Sequence, residues 1–173
     1  RAVVITLLVS SLAISAVSAG CTIGRNAPVF KQCDGAWGSN KLGSSSTICA
    51  VGCLMCSMSS AMNSLGKTIN SQTVTPAVLN QFLIDNGGYY GNLFIWGSVE
   101  RFGFRYEGQP SDKSVLRQAI CDQKVVILNV NGGGHWVLAT GWDGSTFYVN
   151  DSGYNKGSYA EWEVVLAGVY RLA

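Results

Sequence analysis

The sequence predicts an α+β domain in which a helical layer, with a buried N-terminal helix, packs on an antiparallel sheet. Apolar residues recur at helical spacing from residue 53, and β-branched or alternating runs follow residue 124. The 173 residues are 47% hydrophobic and 13% charged, which is enough for one substantial core and excludes a disordered chain. The net charge of +2 is too small to indicate nucleic acid or a polybasic membrane surface.

Residues 1–19 are predicted to be a secretory signal peptide rather than part of the fold. The run Ala2–Ala19 is uncharged, follows a basic residue and ends in Val17-Ser18-Ala19, a small-residue cleavage site. The alternative is a retained membrane anchor, because the run approaches the length of a membrane span. Cleavage would leave one domain at residues 20–173, and we expect a secreted protein that contacts a membrane only if the anchor is retained.

The helices are predicted from apolar spacing and from residues that cap helix ends. Cys53–Ser64 is the first helix and is expected to be buried, since it is rich in small and apolar residues, and Gly66 is expected to end it in a left-handed conformation. Thr75-Pro76 predicts the start of a second helix, which stops at Asn86-Gly87-Gly88. Two further helices are predicted at residues 93–102, ended by Gly103, and at residues 112–122.

Four strands are predicted, at residues 125–130, 135–141, 145–151 and 163–170. A three-residue loop, Trp142-Asp143-Gly144, would join the second strand to the third. Counting back from this loop pairs His135 with Asp151, with β-carbons about 4.5–5.5 Å apart. The register therefore predicts a carboxylate beside the single histidine of the chain, whereas a two-residue turn would put Asp151 on the other face.

A thiol, an imidazole and a carboxylate together predict nucleophilic catalysis. His135 would exchange protons near neutral pH, and Asp151 would fix its tautomer. Cys53 begins the first helix, where the dipole and free amides favour a thiolate, and Gly52 permits close approach to a reacting carbonyl. Cys56 lies one turn further and is expected in the core. The simpler interpretation of His135 and Asp151 is a surface hydrogen bond at a strand end.

The six cysteines allow other interpretations of Cys53. All six could form disulfides in a secreted chain, which would leave no nucleophile. The spacing Cys49-x-x-x-Cys53-x-x-Cys56 also matches enzymes that bind an iron–sulfur cluster, but those have a much larger barrel and need a reducing compartment. Zinc is not favoured, because structural zinc sites of this kind use two C-x-x-C motifs and the sequence has one, Cys53-x-x-Cys56. We expect no metal and no cofactor.

Several blocks of the sequence resemble papain-like cysteine peptidases, in particular the family named for bacteriocin-processing, double-glycine-leader peptidases. They occur in the family's order over roughly residues 28–172, and the Gly-Cys at the helix start and the His-to-Asp hairpin are the specific ones. The blocks are Gln32-Cys-Asp-Gly-Ala-Trp-Gly38, Leu42-Gly43, Thr47-Ile-Cys-Ala-Val-Gly-Cys53, Leu79-Asn80 with Asn86-Gly-Gly-Tyr89, His135-Trp-Val-Leu-Ala-Thr-Gly-Trp-Asp143 and Val149-Asn-Asp151.

The resemblance implies a papain-like fold and hydrolysis of peptide or related amide bonds through a thiol acyl-enzyme. Cys53 would be the nucleophile, His135 the general base and then acid, and Asp151 the orienting residue. Gln32, with the backbone amide of Cys53, would line the oxyanion hole. The partner would be a peptide or protein substrate.

The chain departs from the family pattern at two positions, which leaves the substrate open. Leu54-Met55 follows the cysteine where many relatives have Gly-Pro, and Cys33 stands beside the oxyanion glutamine. Two alternatives to a general peptidase remain. One is a catalytically silent, secreted structural or binding module on the same fold, which the even cysteine count and abundant Gly, Ser and aromatic residues fit. The other is a hydrolase of peptidoglycan stem peptides.

Overall fold

The computed structural model describes residues 20–173, so the predicted signal peptide at residues 1–19 lies outside the described residues. Four α-helices are α1 (Ile48–Val51), α2 (Cys53–Ser64), α3 (Pro76–Asp85) and α4 (Lys113–Cys121). The large sheet has seven strands: β1 (Gly20–Thr22), β2 (Phe104–Gly108), β3 (Val125–Val130), β4 (His135–Asp143), β5 (Thr146–Asn150), β6 (Ser158–Ala160) and β7 (Leu166–Leu172). Short 3₁₀ helices are Trp96–Phe102, Asn131–Gly133 and Glu161–Glu163.

The large sheet is antiparallel, with the strand order β6-β5-β4-β3-β7-β2. β4 is the longest strand, and it pairs with β3 through its first half and with β5 through its second. β1 pairs with the far end of β4. Three small hairpins lie outside this sheet, at Lys41–Thr47, Thr68–Thr73 and Tyr89–Phe94. The predicted antiparallel sheet is therefore confirmed.

Two apolar cores lie on opposite faces of the sheet. Val125 and Ile127 of β3 pack with α2 and α3, whereas Val126 and Leu128 pack with α4. This alternation buries all six residues of β3, as expected for a strand covered on both faces. The sequence predicted a single helical layer, and the structure places helices on both faces because α4 carries its own apolar stripe. In residues 20–173, no helix has both the length and the hydropathy of a membrane span.

α2 begins and ends at the residues predicted from the sequence, because both of its ends are fixed locally. Gly66 has φ +63°, and its N–H donates to the Asn63 carbonyl (2.9 Å). The N–H of Lys67 donates to the Met62 carbonyl (3.0 Å). These two bonds complete the glycine-terminated cap that the pattern predicted, and they satisfy carbonyls that the helix itself leaves open.

α3 also begins where the pattern places it, since Thr75 Oγ1 accepts the N–H of Val78 (3.3 Å). The helix predicted over residues 93–102 is wrong at its start. Leu93–Phe94 forms a strand instead, paired with Tyr89–Tyr90 across a turn at Gly91. A 3₁₀ helix begins only at Trp96 and ends at Gly103. β1 and β2 were not predicted either, because their pairing partners are distant in the sequence. β6 was missed because its three residues show no alternation.

The predicted register of the hairpin between β4 and β5 is wrong. Asp143 pairs with Thr146, so the turn has two residues, and the register shifts again between Ala139 and Gly141. This bulge lies where β1 joins β4, since a Cβ at Gly141 would lie 2.8 Å from the Cys21 carbonyl oxygen. β5 ends at Asn150. Any contact between His135 and Asp151 must therefore come from the loop after β5, not from cross-strand pairing.

Candidate active site

Cys53 is the first residue of α2, and it lies half-buried in a cleft of about 450 Å³. α1 and α2 meet at Gly52, whose N–H donates to the Ile48 carbonyl (2.8 Å). A Cβ at Gly52 would lie 2.4 Å from that carbonyl oxygen, so a larger residue does not fit between the two helices. The sequence predicted that Gly52 leaves room for a reacting carbonyl, but the close approach in the structure is to the chain's own backbone.

The first turns of α2 are held against the sheet, which fixes the position of Cys53. Met55 and Met58 are fully buried on this face. Ser57 Oγ donates to the Trp136 carbonyl of β4 (3.3 Å). Because Trp136 follows His135, this contact holds the start of the helix beside the start of β4. The predicted thiol and imidazole therefore line the same cleft.

His135 and Asp151 form a buried hydrogen-bonded pair. His135 Nε2 lies 2.7 Å from Asp151 Oδ1, and the exposed fractions of the two residues are 5% and 2%. Asp151 directly follows β5, and the loop turns its carboxylate back toward the start of β4. Nε2 is committed to this bond, so Nδ1 is the ring nitrogen that remains for Cys53. The simpler interpretation, an exposed bond at a strand end, does not fit this burial.

The carboxylate of Asp151 stays ionised inside the protein. Burial raises its pKa, but the hydrogen bonds that it accepts lower the pKa further, to about 2. Oδ1 accepts the backbone N–H groups of Gly153 (2.8 Å) and Tyr154 (2.9 Å) as well as His135. Oδ2 accepts the hydroxyl of Tyr159 (2.7 Å). Several donors to one charged carboxylate stabilise the anion, so Asp151 is a fixed negative charge beside the imidazole.

The imidazole of His135 is positively charged at neutral pH. Burial lowers the pKa of His135, but hydrogen bonds to Asp151 and Cys53 and the charges of these two groups raise it to about 9. An imidazolium beside a cysteine stabilises the thiolate, which is the nucleophilic form of the side chain. The arrangement can therefore hold a nucleophile and a proton donor together.

Gln32 lies on the same cleft as Cys53 and His135. Its Nε2 donates to the Cys49 carbonyl (2.6 Å), and its backbone N–H donates to the Ser152 carbonyl (2.9 Å). A side-chain amide carries two N–H groups, so one remains after the bond to Cys49. The structure therefore brings Gln32, Cys53 and His135 to one cleft, and it buries Asp151 behind His135.

Of the six cysteines, all within the described residues, four form disulfides and two are free thiols. The disulfides are Cys21–Cys121 and Cys33–Cys49, and the free thiols are Cys53 and Cys56. Cys56 is fully buried, and its burial together with the nearby Cys53 raises the pKa of its thiol to about 12. Cys56 is thus a core residue, as expected, and the even cysteine count does not remove Cys53 as a nucleophile.

Comparison with known proteins gives the family. The sequence model of the Peptidase C39-like family matches residues 25–171. The chain belongs to this family. A solved structure described as a double glycine motif protease from an AMS/PCAT transporter in complex with the leader peptide has a TM-score of 0.55 and 18% identity. The match covers 89% of this chain and 98% of that one. No curated protein matches the chain.

These findings confirm the resemblance and the fold class predicted from the sequence. The structural likeness spans nearly the whole of the described chain, and at 18% identity it concerns the fold. The C39-like chain thus has a papain-like cysteine peptidase fold, with a buried helix and an antiparallel sheet on either side of the cleft.

Two residues that contact the site, Tyr159 and Gly153, were not predicted from the sequence. Tyr159 is fully buried in β6 and donates to Asp151, but a three-residue strand leaves no periodic signal. A Cβ at Gly153 would lie 2.7 Å from Cε1 of His135, so the glycine leaves room for the ring.

Lys31 and Tyr154 connect the loop after β5 to the segment that carries Gln32. Lys31 Nζ donates to the carbonyls of Asp151 (2.9 Å) and Tyr154 (2.6 Å). The ring of Tyr154 meets the His135 ring edge-on, with centroids 5.0 Å apart. These contacts link Asp151, His135 and the segment of Gln32 into one unit. Residues 20–173 contain no group of three or more His, Cys, Asp or Glu residues that could hold a metal ion.

Proposed function

We propose that this C39-like chain is a cysteine peptidase that hydrolyses peptide or related amide bonds through a thioester at Cys53. The observation that carries the proposal is His135, whose ring interacts with Cys53 and with the buried, ionised Asp151. Charge, orientation and exposure all fit this chemistry. Cys53 is free and lines an open cleft, whereas its acid–base partner is buried and held in one orientation.

The chemistry proceeds in two halves. The Cys53 thiolate attacks the substrate carbonyl, and the carbonyl oxygen becomes an oxyanion near the remaining N–H of Gln32 and the backbone N–H of Cys53. The His135 imidazolium gives its proton to the leaving amine, and a thioester remains. Neutral His135 then takes a proton from water, whose oxygen attacks the thioester. Collapse releases the acid and restores the thiolate beside the imidazolium.

The proposed substrate is a peptide or protein. The proposed location is an oxidising compartment. The structural neighbour is a protease in complex with a leader peptide, which supports a peptide ligand for the cleft. The described lining of the cleft is formed by apolar, aromatic and uncharged polar residues besides His135 and Cys53. Two disulfides support a secreted protein, because such bonds persist in oxidising compartments.

Alkylation tests the nucleophile directly, with Cys56 as the control on the same helix. The native protein is treated with iodoacetamide at neutral pH, and the adducts on each cysteine are mapped over time by mass spectrometry. We expect Cys53 to react well before Cys56, with peptidase activity falling in proportion to the Cys53 adduct. Equal reactivity of the two thiols, or activity that survives complete alkylation of Cys53, would contradict the proposal.

Cleavage is tested with a degenerate peptide mixture, in which new N-termini are detected by mass spectrometry. We expect cleavage by the native chain and none by the Cys53→Ala variant. A suspension of bacterial cell walls, followed by turbidity, is assayed beside the peptides. Clearing of the walls without cleavage of the peptides would identify stem peptides as the substrate. Binding of peptides without turnover would instead identify a silent binding module.

A further inference from the structure

We propose that the Cys33–Cys49 disulfide is a positioning element for Gln32, which it holds at the oxyanion side of the cleft. The inference rests on the proposed function, since it assigns a role within the same site. Cys33 and Cys49 are joined although the two residues are 16 positions apart in the sequence. Neither cysteine takes part in the proposed reaction, so the chemistry itself does not require the bond.

The disulfide and the Gln32 side chain converge on the same residue. Cys33 directly follows Gln32, and its sulfur is bonded to Cys49. The amide of Gln32 donates to the carbonyl of that same Cys49 (2.6 Å). Gln32 is therefore attached to Cys49 twice, once covalently through its neighbour and once through its own side chain. Movement of Cys33 away from Cys49 would pull the glutamine amide away with it.

Cys49 in turn has a fixed position relative to the nucleophile. It lies in α1, four residues before Cys53, and its N–H donates to the Gly38 carbonyl (2.9 Å). α1 is packed tightly onto α2 at Gly52, where no side chain fits. A residue bound to Cys49 is thus held at a set distance from Cys53. The disulfide therefore holds Gln32 at a fixed position relative to Cys53.

Apart from the disulfide, the segment that carries Gln32 is held by hydrogen bonds rather than by regular secondary structure. Residues 23–40 contain no helix or strand, and Cys33, Asp34, Gly35 and Ala36 are all exposed. The other links are hydrogen bonds. The Gln32 N–H and Lys31 Nζ donate to the loop after β5, Trp37 Nε1 donates to the Lys31 carbonyl, and the N–H of Cys49 donates to the Gly38 carbonyl. Hydrogen bonds near water contribute little net stability, because water replaces them. The disulfide is therefore a constraint on this segment that water cannot replace.

The test compares the two disulfides of the chain. The Cys33→Ala/Cys49→Ala variant removes the bond beside the cleft, and the Cys21→Ala/Cys121→Ala variant removes a bond whose cysteines do not line it. We expect the first to lower kcat on the order of tenfold, less than the roughly 10²–10³-fold typical of losing an oxyanion donor, with KM nearly unchanged. The second should keep its kcat, although it opens the longer loop and loses more thermal stability.

Gln32→Ala in both backgrounds separates positioning from general stability. If the disulfide acts through Gln32, removing the glutamine should lower kcat much less in the variant without the bond than in the native chain. The two effects should then combine non-additively, which a merely structural disulfide would not produce. Full additivity, or an equal fall in kcat for both disulfide variants, would overturn the inference.

A second measurement avoids dependence on the folding of the alanine variant. In the Cys21→Ala/Cys121→Ala protein, Cys33–Cys49 is the one remaining disulfide. A water-soluble phosphine reduces it to two thiols, while the phosphorus takes oxygen from water and becomes a phosphine oxide. We expect kcat to fall about tenfold as the two new thiols form, in line with the partial loss of an oxyanion donor. If kcat is unchanged after complete reduction, the inference about the disulfide is overturned and the proposed function is not. If the native protein neither cleaves peptides nor shows selective alkylation of Cys53, the proposed function is overturned.

Discussion

The two ends of β4 are held in place by different chemistry. At its first residue, His135 contacts Asp151, and the carboxylate accepts further hydrogen bonds from Tyr159 and the loop backbone. At the other end, Trp142 packs in the apolar core, and its indole N–H lies 3.4 Å from Cys121 Sγ. The first end is polar and ionised, and the second is apolar and covalently linked through Cys21–Cys121. Substitutions at the first end should therefore change the rate of catalysis, and substitutions at the second end should change stability without changing that rate.

The largest effect is expected at the first end, from His135→Gln. Glutamine retains an N–H for Asp151 but neither carries a positive charge nor exchanges protons. We expect kcat/KM to fall roughly 10²–10⁴-fold, the usual contribution of general acid–base catalysis. The melting temperature, measured on the same preparation, should show that the variant is folded, because Asp151 keeps three other donors. Activity near that of the native chain would exclude His135 as the acid and base.

The second end is tested by the Cys21→Ala/Cys121→Ala variant, read this time by its stability. The bond closes a loop of 100 residues, so its loss should lower the free energy of unfolding by about 2–5 kcal/mol. Urea titration measures this, and kcat of the folded fraction should not change. The Cys33–Cys49 bond spans only 16 positions and should cost less stability when removed. A fall in kcat of the folded Cys21→Ala/Cys121→Ala protein would break the proposed division between the ends.

The pH dependence of stability arises at the first end of β4, from Asp151 and His135. The contribution of Asp151 is lost as the pH falls, and the contribution of His135 is lost as the pH rises. The pKa of Asp151 is about 2, below its ordinary 3.8, so its contribution is complete above pH 3.8 and is lost as pH falls through 2. The pKa of His135 is about 9, above its ordinary 6.5, so its contribution is complete below pH 6.5 and is lost as pH rises through 9. The same rise removes the imidazolium, so activity should decline above about pH 9.

Tyr159→Phe tests this dependence at a residue outside the predicted set. The substitution leaves Oδ2 of Asp151 without its buried donor, at a cost of about 1–3 kcal/mol. The pKa of Asp151 should rise toward its ordinary value, so the acid loss of stability should begin at a higher pH. Urea titrations at several pH values measure both effects. The variant without Cys21–Cys121 is the control, since its loss of stability should be the same at every pH.

Local signals predicted the elements of the site better than their arrangement. Residues within one turn of each other fix the ends of α2, so Gly66 and the apolar spacing were sufficient to place Cys53 at a helix start. Asp151 was correctly placed near His135, but through a register that is wrong. The turn has two residues where three were counted, and a bulge where β1 joins β4 shifts the register again. β1 lies more than a hundred residues earlier, so a count along the hairpin cannot include it.

Contacts between distant segments account for what the sequence did not reveal. Cys33 pairs with Cys49 rather than with any other cysteine because the loop carrying Gln32 folds back onto α1. Tyr159 reaches Asp151 because β6 pairs with β5, and a strand of three residues has no alternation to recognise. The family resemblance supplied the order of the site residues, whereas the hydrogen-bonded support of Asp151 needed the structure.

The smallest effect is expected from a single methyl group, added at either of two glycines in the loop after β5. A Cβ at Gly153 would lie 2.7 Å from Cε1 of His135 and 3.4 Å from Oε1 of Gln32, whereas a Cβ at Gly157 meets nothing within 4 Å. Gly153→Ala should displace the ring and lower kcat/KM about tenfold, since sub-ångström misplacement of a reacting group is costly. Gly157→Ala adds the same methyl group to the same loop and should leave kcat/KM unchanged. If both variants lose the same kcat/KM, the loop tolerates no added methyl group, whether or not that group touches His135. If both variants keep their kcat/KM, the His135 ring is free to move. A loss confined to Gly153 would show that the polar end of β4 depends on the orientation of one ring.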